Sequence, residues 1–149
     1  SRDFDYTINY PPTWTVDDSS SDFVVIDGGD FAGVTIEVFD LSESFWTHDE
    51  LVEVLLEIAE EDAEDSRQTF KVTSSKEVRV PGGRKYQWVT YITGDSTRFC
   101  SEHFIDIIAL HSDYPDEPYG YEVTASICEH SLDAYVSDRL DIVDSFKFP

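Results

Sequence analysis

Apolar and polar residues alternate with the period of a β-strand over most of the chain. In the segment AGVTIEVF, Val34, Ile36 and Val38 occupy one face, and Thr35 and Glu37 occupy the other. Further strands are predicted in FVVI (23–26), in the two arms of a hairpin across 70–93, and in the segments 98–112 and 119–128. The turn DGGD (27–30) before AGVTIEVF is interpreted as a hairpin turn, with a cation-binding loop as the alternative.

The chain opens with an aromatic segment, YTINYPPTW. Tyr6, Ile8 and Tyr10 share one face of an extended strand until two consecutive prolines end its hydrogen-bonding ladder. Beyond this corner, Trp14 is predicted to be buried.

Two segments have helical instead of strand periodicity. Thr47 and Glu50 have the spacing of a capping box, and the helix that follows, through Asp65, carries an apolar stripe of Leu51, Leu55 and Ile58. A second amphipathic helix is predicted from Ser131 to the residues before Phe146. Antiparallel strands with one helix mid-chain and one at the C-terminus predict an α+β fold, an α/β/α sandwich with a central antiparallel sheet.

The length and composition fit one globular domain. The chain has 149 residues, a mass of 17.0 kDa and 40% hydrophobic residues, enough to bury a substantial core. No apolar stretch has the length of a membrane span. Because residue 1 is not Met, we expect residues 1–149 to be a single domain excised from a longer secreted or membrane-anchored precursor.

The charge balance is strongly acidic. The chain has 32 Asp and Glu against 10 Lys and Arg, a formal net charge of −22 and a pI near 4.1. A field of this sign repels nucleic acids and anionic lipid surfaces, whereas cationic partners and metal ions remain possible. The carboxylates are scattered along the chain, which favours a solvated acidic surface as in proteins of halophilic or marine organisms.

The two cysteines suggest a disulfide. If the loop between the last two strands is centred near Tyr114, Cys100 and Cys128 lie directly opposite each other in the hairpin. We therefore expect a Cys100–Cys128 disulfide, with two free buried thiols as the alternative. A disulfide in turn predicts an extracytoplasmic location.

The same register places two carboxylates opposite each other. Asp106 would face Glu122, and such a pair costs stability unless it is exposed, shares a proton or is bridged by a cation. A pair on a solvated sheet face is the simpler interpretation. A divalent-cation site at Asp106 and Glu122, with Ca²⁺ as the candidate ion, is the alternative.

The opening motif and the chain end together resemble a known family. The residues Y-x-I-x-Y-P-x-x-W, the order of strands and helices, and the terminal IVDSFKF are similar to the PsbP-like family, which includes the extrinsic photosystem II protein and bacterial lipoproteins and secreted domains. The resemblance implies an α/β/α sandwich that acts as a non-catalytic accessory or binding module, sometimes with bound metal ions. No family metal ligands can be transferred to positions of this chain. The acidity and the cysteine pair favour a prokaryotic surface protein over a photosynthetic role.

The sequence favours binding over catalysis. It contains no G-x-S-x-G, H-E-x-x-H, C-x-x-C or phosphate-binding glycine motif. The function predicted is an extracytoplasmic protein-binding module, secreted or anchored at the cell surface, with a divalent-cation-binding module as the alternative. The expected contact is the loop that carries Tyr114, Tyr119, Asp113 and Asp116. No cofactor other than Ca²⁺ is expected, and an enzyme would require a deep pocket with a perturbed His or carboxylate.

Overall fold

The computed structural model describes residues 4, 6–20, 22–29, 32–41, 47–79, 85–94, 103–111, 119–128, 138 and 141–147. For residues 85–86, 103–111 and 127–128 it describes the backbone alone.

The described strands form one seven-stranded sheet in which every neighbouring pair is antiparallel. In chain order the strands are β1 (Thr15–Asp17), β2 (Phe23–Gly29), β3 (Ala32–Asp40), β4 (Thr69–Arg79), β5 (Lys85–Gly94), β6 (His103–His111) and β7 (Tyr119–Cys128). Their order across the sheet is β1-β2-β3-β7-β6-β5-β4. The chain therefore crosses from the centre of the sheet at β3 to the far edge at β4.

The crossover is made by helix α1 (His48–Asp65). Its first turn is closed by the predicted capping box: the backbone N–H of Glu50 donates to the Thr47 hydroxyl, and the backbone N–H of Thr47 donates to the Glu50 carboxylate at 2.6 Å. The Thr47 backbone N–H and hydroxyl both donate to the Glu50 carboxylate, and these two bonds hold the pKa of the Glu50 carboxyl below its usual value. Leu51 and Leu55 are buried as the stripe predicts, whereas Ile58 is 50% exposed.

The two faces of the sheet carry separate hydrophobic clusters. On the first face, alternating residues of β2, β3 and β7 pack with the N-terminal segment and the C-terminal helix, which is described at 138 and 141–144. On the second face, α1 packs on β4, β5 and β6 through Leu41, Leu51, Leu55, Val89 and Tyr91. The α/β/α sandwich with a central antiparallel sheet is thus confirmed.

The N-terminal segment differs from its prediction. Instead of a strand through residues 6–10, a single antiparallel bridge joins Thr7 to Lys147, with backbone bonds of 3.0 and 2.8 Å. Tyr6 stacks on Phe146 with ring centroids 5.4 Å apart, and Trp14 is buried as predicted. The aromatic motif therefore fastens the two ends of the chain to each other over the first face.

The last turn of α1 carries carboxylates where a helix favours cations. Five of its last six residues are acidic, and none of the last turn is basic. The partial negative charge of a helix C-terminus repels such groups, an effect that salt screens.

We expect Asp65→Lys to raise the free energy of unfolding by about 0.3–1 kcal/mol more than Glu57→Lys at low salt. Both residues are exposed on α1 and both substitutions change the net charge equally, but Glu57 lies in the middle of the helix. Urea unfolding at two salt concentrations measures the difference, which should shrink as salt is added. Equal effects of the two variants at low salt would contradict this expectation.

No helix in the described part of the chain is long and apolar enough to cross a membrane.

Candidate functional site: an acidic cleft beside helix α1

A cleft of about 370 Å³ lies between the C-terminal half of α1 and the second face of the sheet. Its helix wall is largely apolar, with Leu55, Ile58, Ala59 and Ala63. Its sheet floor and its rim are mostly polar and comprise Glu37, Tyr91, Thr93, Glu122, Thr124, Asp62, Ser66 and Gln68. Ile58 lines this cleft, and its side chain is therefore 50% exposed although it belongs to the apolar stripe of α1.

Two glutamates face each other on the cleft floor. Glu37 in β3 is the direct cross-strand partner of Glu122 in β7. Side chains in such a pair leave the sheet on the same face, with Cβ atoms about 4.5–5.5 Å apart. Like charges at this position destabilise a sheet.

Burial changes the acidity of both glutamates in the same direction. The pKa of Glu37 is raised mainly by burial, with a smaller contribution from the charge of Asp22. Burial likewise raises the pKa of Glu122, a hydrogen bond of 2.9 Å from the Thr124 hydroxyl opposes the change, and the charge of Glu37 adds to it. The fold therefore holds this pair at a cost that a bound cation or a proton would relieve.

Tyr91 brings a hydroxyl group to the same floor. The residue is 5% exposed, and its ring packs against Phe70 at 5.0 Å between centroids. Burial raises the pKa of its phenol, and the charges of Glu122 and Asp62 raise it further. Within the described ranges no residue forms a hydrogen bond with this hydroxyl.

The described side chains supply the cleft with carboxylates and no basic group. The ion pair of Arg79 with Glu77 and the contact of His48 with Asp49 both lie away from the cleft. The same part of the chain contains no group of three or more His, Cys, Asp or Glu side chains arranged to hold a metal ion. The negative charges of the cleft are thus left for a ligand or for protons to neutralise.

The predicted pairing of Asp106 with Glu122 is wrong. Asp106 pairs with Ala125, and the β6 partner of Glu122 is Ala109, three residues further along β6. The prediction centred the hairpin on Tyr114, but the length of the loop between the strands does not fix where pairing begins. The carboxylate that does lie opposite Glu122 comes from β3, on its other side.

The same error removes the geometric argument for the disulfide. Cys128 pairs with His103, so the predicted register of Cys128 with Cys100 is wrong. Cys100 lies outside the described residues, and a Cys100–Cys128 disulfide stays a prediction.

The predicted partner-binding loop is described only at its end. Asp113, Tyr114 and Asp116 lie outside the described residues, as does Asp30 of the glycine-rich turn. Tyr119 begins β7, is partly buried, and packs edge-on against Phe4 with ring centroids 5.2 Å apart. The ring of Tyr119 therefore has a packing role, whereas a contact between this loop and a partner stays a prediction.

Solved structures show the same fold. The chain is similar to cyanobacterial PsbP (CyanoP) from Synechocystis sp. PCC 6803, with a TM-score of 0.69 and 15% sequence identity over 97% of this chain and 86% of that one. It is also similar to a protein from Bacteroides thetaiotaomicron, with a TM-score of 0.53 and 9% identity over 97% of this chain and 45% of that one. No protein-family model and no curated protein sequence matches the chain. The chain thus has a PsbP-like fold, as its sequence pattern predicts.

Proposed function

We propose that this domain is a non-catalytic binding module that acts outside the cytoplasm and holds a protein partner against the second face of its sheet. The observation that carries the proposal is the part of this face that α1 leaves open. The helix packs mainly on β4, β5 and β6, which form one side of the sheet, whereas β2, β3 and β7 form the other side.

The open part of the face combines an aromatic anchor with carboxylates. Phe23 is the cross-strand partner of Glu37, which is in turn the partner of Glu122, so the three residues form a row across β2, β3 and β7. Phe23 is 46% exposed although it lies within a strand. We call Phe23, Glu37 and Glu122 the sheet row. Exposed aromatic residues of this kind are typical anchors of protein interfaces.

The charge of the chain indicates a cationic partner. The net charge is −22, and α1 carries the exposed carboxylates Glu53, Glu60 and Glu61. A surface of one sign attracts partners of the opposite sign and speeds their encounter. An extracytoplasmic location is proposed from the resemblance of the sequence to secreted and lipid-anchored proteins.

A cleft with two carboxyl groups of raised pKa also raises the question of catalysis. Acid–base enzymes place their two groups in environments that separate the pKa values, so that one is a proton donor while the other is a base. Here burial raises the pKa of both Glu37 and Glu122. Because burial acts on both carboxyl groups in the same direction, it assigns neither of them as the base of an acid–base pair.

The test immobilises the domain and uses it to capture a partner from the envelope fraction of the source organism. One experiment is done with EDTA and a second with added Ca²⁺. We expect Phe23→Ser to reduce capture at least tenfold, whereas Tyr10→Ser does not. Tyr10 is a matched control because it is 44% exposed, similar to Phe23, and lies beside the C-terminal helix, in a cleft with Pro11 and Ile142.

Three outcomes contradict parts of the proposal. Equal capture by both variants and the unchanged domain would remove the sheet row as the interface. Loss of capture with Tyr114→Ala and not with Phe23→Ser would move the interface to the loop predicted from the sequence. Capture in the Ca²⁺ arm alone would favour the divalent-cation-binding function instead.

A further inference from the structure

The two sides of the cleft beside α1 differ in polarity, and a ligand group in the cleft would contact both of them. The helix side presents aliphatic carbon from Leu55, Ile58 and Ala59. The sheet side presents the carboxylates of Glu37 and Glu122. A ligand that fits both needs a positive, hydrogen-bonding head and an apolar stem.

We infer that this cleft binds a primary ammonium group on an alkyl stem, supplied either by a lysine side chain of the partner or by a free alkylamine. The inference deepens the proposed function and rests on it for the identification of the partner as a protein. Its chemical part, the binding of an ammonium group, can be tested on the domain alone.

An ammonium head matches the polar groups on the cleft floor. It has three N–H donors and no acceptor. The floor offers two carboxylates and the hydroxyl of Tyr91, a residue that is 5% exposed and whose hydroxyl has no hydrogen bond with a described residue. A partly buried like-charged pair is stabilised most by a cation that also makes hydrogen bonds to it.

The stem matches the helix wall and the size of the cleft. A volume of about 370 Å³ is at the lower end of the range for small-ligand sites and holds a four-carbon chain with its head group. Lysine stems commonly lie along apolar surface while the charged end reaches polar groups. Ca²⁺, in contrast, needs six to eight oxygen ligands, and the aliphatic wall supplies none.

The experiment is an NMR titration of the ¹⁵N-labelled domain with n-butylammonium at pH 7.5 and constant ionic strength. Tetramethylammonium has the same charge without N–H donors, and n-butanol has the same stem without charge. We expect saturable shifts at millimolar n-butylammonium, at least tenfold weaker binding of tetramethylammonium, and no saturation with n-butanol. Equal binding of the two cations would overturn the inference, because it would mean unspecific attraction to an acidic surface.

Variants locate the site. We expect Glu122→Gln to weaken n-butylammonium binding at least tenfold and Tyr91→Phe to weaken it several-fold. Glu57→Gln, which removes an exposed charge from the outer face of α1, should change the affinity less than twofold. Equal effects of Glu122→Gln and Glu57→Gln would overturn the inference, as would saturable Ca²⁺ binding that n-butylammonium does not displace.

Additional titrations distinguish a lysine side chain from a free alkylamine, and they test the cleft separately from the proposed protein interface. Tighter binding of an acetylated, amidated lysine than of n-butylammonium supports a protein source, and tighter binding of a diamine supports a free amine. If Phe23→Ser abolishes partner capture while n-butylammonium still binds, the cleft and the interface are both supported. If amine binding is absent while Phe23→Ser still abolishes capture, the inference fails and the proposed function stands.

Discussion

Replacing Gly28 by alanine is expected to lower the free energy of unfolding by about 1–3 kcal/mol. Gly28 lies in β2, where the indole ring of Trp14 covers its backbone. A Cβ atom at this position would meet Trp14 Cε2, and it would lie 2.5 Å from Cζ2 and 2.8 Å from Cδ2. Real Cβ atoms do not approach ring carbons this closely, so the indole has to move out of its packed position.

The indole has little freedom to move. Trp14 is 6% exposed and belongs to the cluster that also contains Tyr6 and Ile26. The turn before it is closed by a backbone bond of 3.0 Å from the Trp14 N–H to the Pro11 carbonyl. The short strand that follows it pairs Thr15 with Asp27, directly before Gly28. Backbone and ring are thus fixed on both sides of the contact.

A double-mutant cycle tests whether the cost arises from this contact. Trp14→Ala alone is expected to cost about 3–5 kcal/mol, as for other buried tryptophans. In that background Gly28→Ala should cost little, giving a coupling of about 1–3 kcal/mol by urea unfolding. The control is Gly33→Ala in the neighbouring strand, where a new Cβ would find its nearest atom, the Ile26 carbonyl oxygen, at 3.5 Å. Additive effects of Gly28→Ala and Trp14→Ala would contradict the argument.

The contact between Gly28 and Trp14 shows why local sequence patterns predict which elements form better than they predict which elements lie next to each other. The sequence indicates a turn at DGGD, and the hairpin is present, but Gly28 and Gly29 belong to β2. Gly29 has a positive φ of 74°, which is the conformational reason for a glycine, whereas Gly28 is required by the space that Trp14 occupies. Nothing local to DGGD indicates that an indole from an earlier segment lies over it.

The helix and the strands could be predicted because their causes are local. The capping box needs residues three apart, and the alternation in AGVTIEVF needs only neighbours, so α1 and the buried face of β3 agree with the sequence pattern. The short edge strand β1 was not predicted, because its three exposed residues carry no alternation against a core.

The candidate site could be predicted only in part because it depends on long-range pairing. The sequence pattern predicts Glu122 as one half of a like-charged pair, but it wrongly predicts Asp106 as the other half. The alternation of the sequence places Glu37 on the polar face of its strand and gives no information about its cross-strand partner. Its position opposite Glu122 follows from the pairing of β3 with β7, strands that α1, β4, β5 and β6 separate along the chain. No local signal specifies which strand completes the centre of the sheet.

The second large effect is expected from the Glu37–Glu122 pair. Glu122→Gln should raise the free energy of unfolding at pH 7.5 by about 0.5–1 kcal/mol, because it removes one of two like charges in a direct cross-strand pair. Glutamine keeps the shape of the side chain and its carbonyl oxygen accepts the bond from the Thr124 hydroxyl. The residue is partly buried, so the gain is a moderate one.

The pH dependence of stability gives the sign of this effect independently. The pKa values of Glu37 and Glu122 are raised in the fold above the ordinary value of 4.5, so the folded state binds protons at these two carboxylates more tightly than the unfolded state does. Their contribution is fully present below pH 4.5 and is lost as the pH rises through the folded pKa values. Hydrogen bonds lower the pKa values of Asp17 and Asp22, whose contribution is lost instead as the pH falls through their folded values, below the ordinary 3.8. Between pH 5 and 7.5 the glutamate pair therefore makes the domain less stable as the pH rises.

Urea unfolding of the unchanged domain, Glu122→Gln and Glu57→Gln at pH 5.0 and 7.5 tests both statements. The decline between the two pH values should be smaller in Glu122→Gln than in Glu57→Gln, which controls for histidine titration and for the net charge of −22. If Glu122→Gln is instead less stable than Glu57→Gln at pH 7.5, then the Glu122 carboxylate has a compensating cation in the free domain. A cleft neutralised in that way would have no need of an ammonium ligand, so this stability measurement bears on the proposed binding site as directly as a titration with the amine.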